Sequence, residues 1–112
     1  MEKQYGKITK VVFGNGGYQD AMLGVHVNIS GEGWSVNHSG PTTWNPEIIK
    51  HLENCKWTEE SRDALFAEGV RWLAKIMADA KVESLDQLVG KPVVCEMDGN
   101  TLKDWRIFTE VL

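Results

Sequence analysis

The sequence predicts an α+β fold in which an antiparallel β-sheet of about five strands packs on one long helix. Segments that alternate apolar and polar residues lie near both ends of the chain, and turns rich in Gly, Asn and Asp join them. Between these segments, an apolar period of 3.6 residues continues from about residue 58 to residue 80. Two hairpins that flank one long helix favour a sheet packed on that helix. The 112 residues fit a single domain, 1–112.

The first hairpin is predicted from β-branched residues and a glycine-rich turn. Tyr5 to Phe13 forms the first strand, and Gly14-Asn15-Gly16-Gly17 is the predicted turn, because Gly and Asn tolerate positive φ. The second strand runs from Tyr18 to Ser30 with a period of two. Its apolar face consists of Ala21, Leu23, Val25, Val27 and Ile29.

A short third strand is predicted from Trp34 to Asn37. Pro41 and Pro46 then indicate that Ser39 to Trp57 is a long irregular loop. A loop of this length in a compact domain is typical of a binding or interface element.

The long helix begins after Thr58, a suitable N-cap, and ends near Ala80. Its apolar stripe consists of Leu65, Gly69, Trp72, Leu73, Ile76, Met77 and Ala80. Ser84-Leu85-Asp86-Gln87 resembles a capping box and predicts a short helical turn that Gly90 ends. The last hairpin pairs strands from Pro92 to Met97 and from Thr101 to Leu112.

Composition limits the possible functions. The net charge is −4 and the pI is about 5.3, which argues against broad binding to nucleic acid or to an anionic membrane. A small anion held by two or three cations remains compatible with this charge. Without an export signal or a long apolar stretch, the chain is predicted to be soluble and unexported. Cys55 and Cys95 are therefore predicted to be reduced, buried thiols.

Neither a metal site nor a catalytic site is predicted. The metal-ligand candidates lack the spacing of known zinc or iron motifs; they are His26, His38, His51, Cys55 and Cys95. No nucleophile elbow is present, and the paired carboxylates lie at helix starts and turns, where capping explains them. The protein is therefore predicted to bind a ligand or partner without using a cofactor and without catalysing a reaction.

The arginines are the more informative residues. Arg62 falls in the first turn of the helix, where free backbone amides favour an anion. Arg106 falls in the middle of the last strand among apolar neighbours, so its guanidinium needs a partner. That partner is either an acid of the same fold, Asp104 or Asp20, or a phosphate or carboxylate of a ligand. Asn100 is most simply a turn residue.

The five tryptophans exceed what the core of so small a domain requires. Some of Trp34, Trp44, Trp57 and Trp105 are therefore predicted at a surface that stacks on a ligand or associates with a partner. Aromatic faces together with arginines in an acidic protein favour a nucleotide-like ligand over a nucleic-acid backbone.

Three stretches resemble a family of small proteins of tailed phages and prophages. They are ITKVVFGNGGYQDAMLG, CKWTEESR and GKPVVCEMDGNTLKDWRIFTEVL, of which GNTLKDWRIFTEVL is the most specific. The chain is similar to phage anti-defence sponges of the Thoeris anti-defence type. The resemblance implies a homo-oligomer, a dimer or a hexamer built from dimers, in the cytoplasm of the infected bacterium. Such proteins sequester cyclic ADP-ribose isomers or cyclic oligonucleotides without cleaving them.

The resemblance also implies ligand contacts from arginine, asparagine and aromatic residues. In this sequence those roles fall to Arg62, Asn100 and Arg106, with Phe13, Tyr18, Trp34 or Trp105 as stacking partners. The segment from Ser39 to Pro46, with Trp44, has no counterpart in the family, which leaves its part in a pocket open. The alternatives are a protein-binding inhibitor that uses the tryptophan-rich surface and a weak hydrolase of the same signals.

Overall fold

The computed structural model describes residues 2–16, 22–45 and 59–112. The strands are β1 (Glu2–Gly16), β2 (Met22–Gly31), β3 (Trp34–Trp44), β4 (Pro92–Asp98) and β5 (Thr101–Ile107). The helix α1 spans Glu59–Ala80, and 3-10 turns occupy Leu85–Leu88 and Thr109–Val111. The strand order is β3-β2-β1-β4-β5, and every neighbouring pair is antiparallel. The predicted α+β fold is confirmed.

The sheet curls around the core, and α1 closes the curl. His38 in β3 and Trp105 in β5 belong to opposite edge strands, yet their ring centroids are 6.0 Å apart. Trp72 of α1 lies 5.9 Å from Trp105 in an edge-to-face contact. The inner face therefore forms the core, with Ile8, Val25, Val27, Ile29, Val93, Cys95 and Ile107 buried beside Ile76 and Ala80 of the helix. We call the opposite face of the sheet the outer face.

The apolar periodicity of the sequence correctly predicted which faces of the strand β2 and the helix α1 are buried. Val25, Val27 and Ile29 of β2 are buried, as the period of two predicts. Ile76 and Ala80 are buried on the predicted helix stripe. Gly99 has a φ of 61° and forms the predicted turn between β4 and β5 with Asn100. Tyr18, Ala21, Cys55, Trp57 and Thr58 lie outside the described residues.

The predicted turn at Gly14-Asn15-Gly16-Gly17 is wrong for its first three residues, because β1 continues through them, and Gly17 lies outside the described residues. Gly14, Asn15 and Gly16 pair with Gly24, Leu23 and Met22 of β2. Glycine adopts extended backbone as readily as a turn, and here the partner strand decides between the two.

The ends of two further strands differ from the prediction. Ser39 to Trp44 belongs to β3 rather than to a loop, and Pro41 fits there because an edge strand tolerates a missing N–H. The last strand ends at Ile107, after which Thr109–Val111 turns as a 3-10 helix. This turn brings Glu110 back towards β5.

Candidate functional site

The outer face carries a row of lysines along the central strand β1. Lys3 and Lys7 point there by simple alternation, and a β-bulge between Ile8 and Lys10 places Lys10 on the same face. Val11, the next residue, packs against the core instead. Among the described residues, none of these ammonium groups forms an ion pair. The outer face therefore carries lysines that are not in ion pairs with described residues, together with the carboxylates of Glu96 and Asp104 in the row of Lys3 and of Glu32 near Lys7.

An aromatic pair lies on the outer face next to this row. The ring centroids of Tyr5 and Phe108 are 5.2 Å apart with an angle of 31° between the ring planes. They line a cleft of about 470 Å³ together with Lys7, Pro92 and Val111, and we call it the aromatic cleft. Tyr5 is 58% exposed. This volume is in the range of small-molecule sites, about 300–1,000 Å³.

Arg106 lies beside the aromatic cleft, on the outer face. It pairs with Val94 across β4, and Val94 pairs with Tyr5 across β1, so Tyr5, Val94 and Arg106 form one row. Its two terminal nitrogens donate to the two carboxylate oxygens of Glu110, each at 2.7 Å. Both side chains are about half exposed.

Of the alternatives predicted for Arg106, the structure shows an acid of the same fold, but this acid is not Asp104. Oδ1 of Asp104 accepts the backbone N–H of Trp105 at 2.8 Å, and Asp20 is outside the described residues. The partner is Glu110, which the 3-10 turn after β5 supplies. Its bidentate hydrogen bonds with Arg106 lower the pKa of the Glu110 carboxyl from 4.5 to about 2 and raise the pKa of the guanidinium.

The tryptophans described near this site do not offer an open stacking face. Trp105 is buried in the core between Trp72 and His38, so it is not one of the tryptophans that the prediction placed at a surface, and it is not available as a stacking partner. The alternation of β5 explains this position, because residues 105 and 106 must face opposite sides. Trp34 packs against the core, and its ring fills the space above the backbone of Gly31 and Gly6.

The other predicted residues lie elsewhere in the fold. Arg62, on α1, has a mostly buried side chain whose Cζ is 5.9 Å from the centre of the Phe66 ring and whose Nε is 3.6 Å from Asp63. Phe13 is exposed and lines, with Phe66 and Val70, an apolar crevice of about 240 Å³. Asn100 is exposed in the β4–β5 turn.

Among the described residues that were predicted to bind the ligand, Arg106 alone lies next to the aromatic cleft, and Tyr18 is outside the described part of the chain. Tyr5, Lys7 and Phe108 were missed as site residues. The alternation of Lys3, Tyr5 and Lys7 along one face of β1 was the available signal.

The described residues contain no group of three or more His, Cys, Asp or Glu side chains that could hold a metal ion. In the same part of the chain, no helix has the length and apolarity needed to cross a membrane. Comparison with protein-family models, with curated proteins and with solved structures finds no match for the chain.

Proposed function

We propose that the protein binds a small anionic cyclic nucleotide, such as a cyclic ADP-ribose isomer or a cyclic oligonucleotide, and sequesters it without cleaving it. The observation that carries this proposal is the position of two cations beside the pair formed by the exposed Tyr5 and the half-buried Phe108: Lys7 lines the aromatic cleft, and Arg106 lies in the row of Tyr5 next to it. Aromatic faces hold a base by stacking, while the neighbouring cations hold phosphate. The resemblance to phage anti-defence sponges supports the same function, in the cytoplasm of an infected bacterium.

Binding requires the ligand to replace Glu110 at Arg106. The guanidinium exchanges one bidentate oxyanion partner for another, so its own hydrogen bonds are conserved. Glu110 is half exposed, and its carboxylate is hydrated by water once it is released. Lys7 adds a point charge from the lining of the aromatic cleft.

Sequestration requires tight binding, roughly −12 kcal/mol for nanomolar affinity. The aromatic cleft is open on one side, and a second copy of the chain would help to close it. Val111, which lines the cleft, and Leu112 beside it are both exposed. We therefore include a homo-oligomer, a dimer or a hexamer, in the proposal.

Native mass spectrometry of the protein, mixed with cyclic dinucleotides, cyclic trinucleotides and cyclic ADP-ribose isomers, tests the proposal. We expect one member of the panel to remain bound to an oligomer, and heating to release it with unchanged mass. Release of a cleaved product would show a hydrolase instead. Absence of binding across the panel would overturn the proposed ligand class.

A protein-binding inhibitor is the second candidate, favoured by the apolar crevice. Phe13 is 55% exposed and Val70 is 63% exposed at its rim, a typical arrangement for contact with another polypeptide. This candidate predicts that a host protein is captured stably and that no nucleotide raises the melting temperature. Phe13→Ser would abolish the capture and leave nucleotide binding unchanged.

A further inference from the structure

The outer face carries a second depression that shares no lining residue with the aromatic cleft. Its volume is about 530 Å³, and its floor consists of two rows of side chains across β1, β2 and β3. The register gives the rows as Lys10, Asn28 and Asn37, and as Val12, His26 and Ser39. Asn15 lines the end near the second row. We call this depression the polar groove.

The amide of Asn28 is hydrogen-bonded at both ends. The hydroxyl groups of Thr9 and Ser35 donate to its Oδ1, and the single hydroxyl hydrogen of Ser30 is closer to Ser35, at 3.0 Å, than to Asn28, at 3.3 Å. The Nδ2 of Asn28 points towards β3 and donates to Oδ1 of Asn37 at 2.8 Å. The oxygen of Asn37 is therefore used inside the protein, and its NH₂ group is left without a described partner.

Asn15 does not belong to these two rows. It pairs with Leu23, whose neighbour in β3 is the buried Thr43, so alternation directs its side chain towards the inner face, where its Oδ1 accepts a hydrogen bond from Nδ2 of Asn45 at 2.6 Å. The amide nitrogen of Asn37 can only donate, so it offers hydrogen atoms to a guest.

His26 is hydrogen-bonded through both ring nitrogens. Its Nε2 lies 3.1 Å from the carbonyl oxygen of Gly14 and 3.0 Å from that of Met22, and because carbonyl oxygens only accept, Nε2 carries a hydrogen. Its Nδ1 lies 2.6 Å from the hydroxyl oxygen of Ser39. Both ring nitrogens of His26 are therefore used inside the protein.

Two donors of the polar groove are left without a partner among the described residues, the NH₂ group of Asn37 and the ammonium group of Lys10, and none of the lining side chains is Phe, Tyr or Trp. We propose that the polar groove is a second binding site, for a small non-aromatic molecule that carries an oxyanion, such as a sugar phosphate or a sugar acid. The volume suits such a molecule better than a bare inorganic anion.

Calorimetric and NMR titrations of the whole chain with ribose 5-phosphate, gluconate and ribose test this site. We expect the phosphate or the carboxylate compound to bind, with the largest amide shifts at Lys10, Asn28 and Asn37, and ribose not to bind. The two anionic compounds distinguish a phosphate site from a carboxylate site. Failure of both to bind, or shifts centred elsewhere, would overturn the proposal.

Two variants test the donor argument. Lys10→Gln removes the charge, and the affinity should fall about tenfold or more, as for loss of a charge-assisted hydrogen bond. Asn37→Asp keeps the oxygen that Asn28 requires but replaces the free donor with a negative acceptor, so binding should be lost while the circular dichroism spectrum is retained. The matched control is Lys3→Gln, on the same strand and face but outside the polar groove.

An equal loss of affinity in Lys3→Gln would mean that general surface charge, rather than the polar groove, attracts the ligand. The aromatic cleft serves as the second control. Tyr5→Ala should leave binding of the sugar anion unchanged, and Asn37→Asp should leave binding at the aromatic cleft unchanged. The proposals for the polar groove and for the aromatic cleft can therefore be refuted independently of each other.

Discussion

Replacing Arg106 with alanine is expected to raise the pKa of the Glu110 carboxyl from about 2 towards its ordinary value of 4.5. Two hydrogen bonds of 2.7 Å from one guanidinium favour the ionised carboxylate, and the variant removes both of them. Thr109 and the backbone of Glu110 also stabilise the carboxylate, so part of the shift should remain.

The sign of the pH dependence follows from this depressed pKa. The pair stabilises the folded chain above about pH 4.5, and this contribution is lost as the pH falls towards 2. Because both side chains are half exposed, water and salt screen the pair, and its effect on overall stability should be small. The pKa is therefore a more sensitive readout than the melting temperature.

An NMR titration of the Glu110 side-chain carboxyl measures this pKa directly. The original chain should show a midpoint near pH 2, and Arg106→Ala should show a midpoint well above it. Arg71→Ala, which removes an exposed arginine of α1, is the matched control and should not change the midpoint. A midpoint near 4.5 in the original chain would refute the bidentate pair.

Three further predictions concern the packing of the core and its neighbours. Gly31→Ala should lower the free energy of unfolding by about 1–3 kcal/mol in urea denaturation, because the new Cβ would lie 2.3 Å from the Trp34 ring. Adding Trp34→Ala should remove most of that penalty, and full additivity would contradict the steric cause. Trp105→Ala should cost about 3–5 kcal/mol, and a loss below about 1 kcal/mol would show that the ring is not in the core. Burial raises the pKa of the Cys95 thiol to about 11, so at pH 8 roughly one molecule in a thousand carries the thiolate. Iodoacetamide should therefore spare Cys95 until the chain unfolds, as peptide mass spectrometry can show; rapid labelling of the folded chain would contradict this.

The sequence predicts most of the fold because apolar periodicity reports which face is buried. The alternation of Val25, Val27 and Ile29 and the stripe that includes Ile76 and Ala80 both lie where the periods place them. Boundaries were less predictable, because Gly14 to Gly16 suit a turn and a strand equally well. Pro41 excludes a central strand but not an edge strand. Whether a strand lies at the edge depends on the order of all five strands, which the local sequence does not show.

The site was predicted only in part, because it depends on irregular features. Arg106 was placed on the last strand, but its partner Glu110 reaches it through a turn in a segment that was predicted to be extended. Lys10 reaches the outer face only because of a β-bulge, which a strict period of two does not show. Trp105 could have been excluded as a ligand contact from the sequence, because the alternation of side chains along β5 places it on the opposite face from Arg106.

The binding constants of the original chain and of Arg106→Ala for the nucleotide selected by native mass spectrometry test the central claim most directly. Isothermal titration calorimetry should show that Arg106→Ala binds at least about tenfold more weakly, because it loses a bidentate phosphate contact. Arg71→Ala should bind like the original chain. Full affinity in Arg106→Ala would contradict a phosphate-binding role for the guanidinium beside the aromatic cleft.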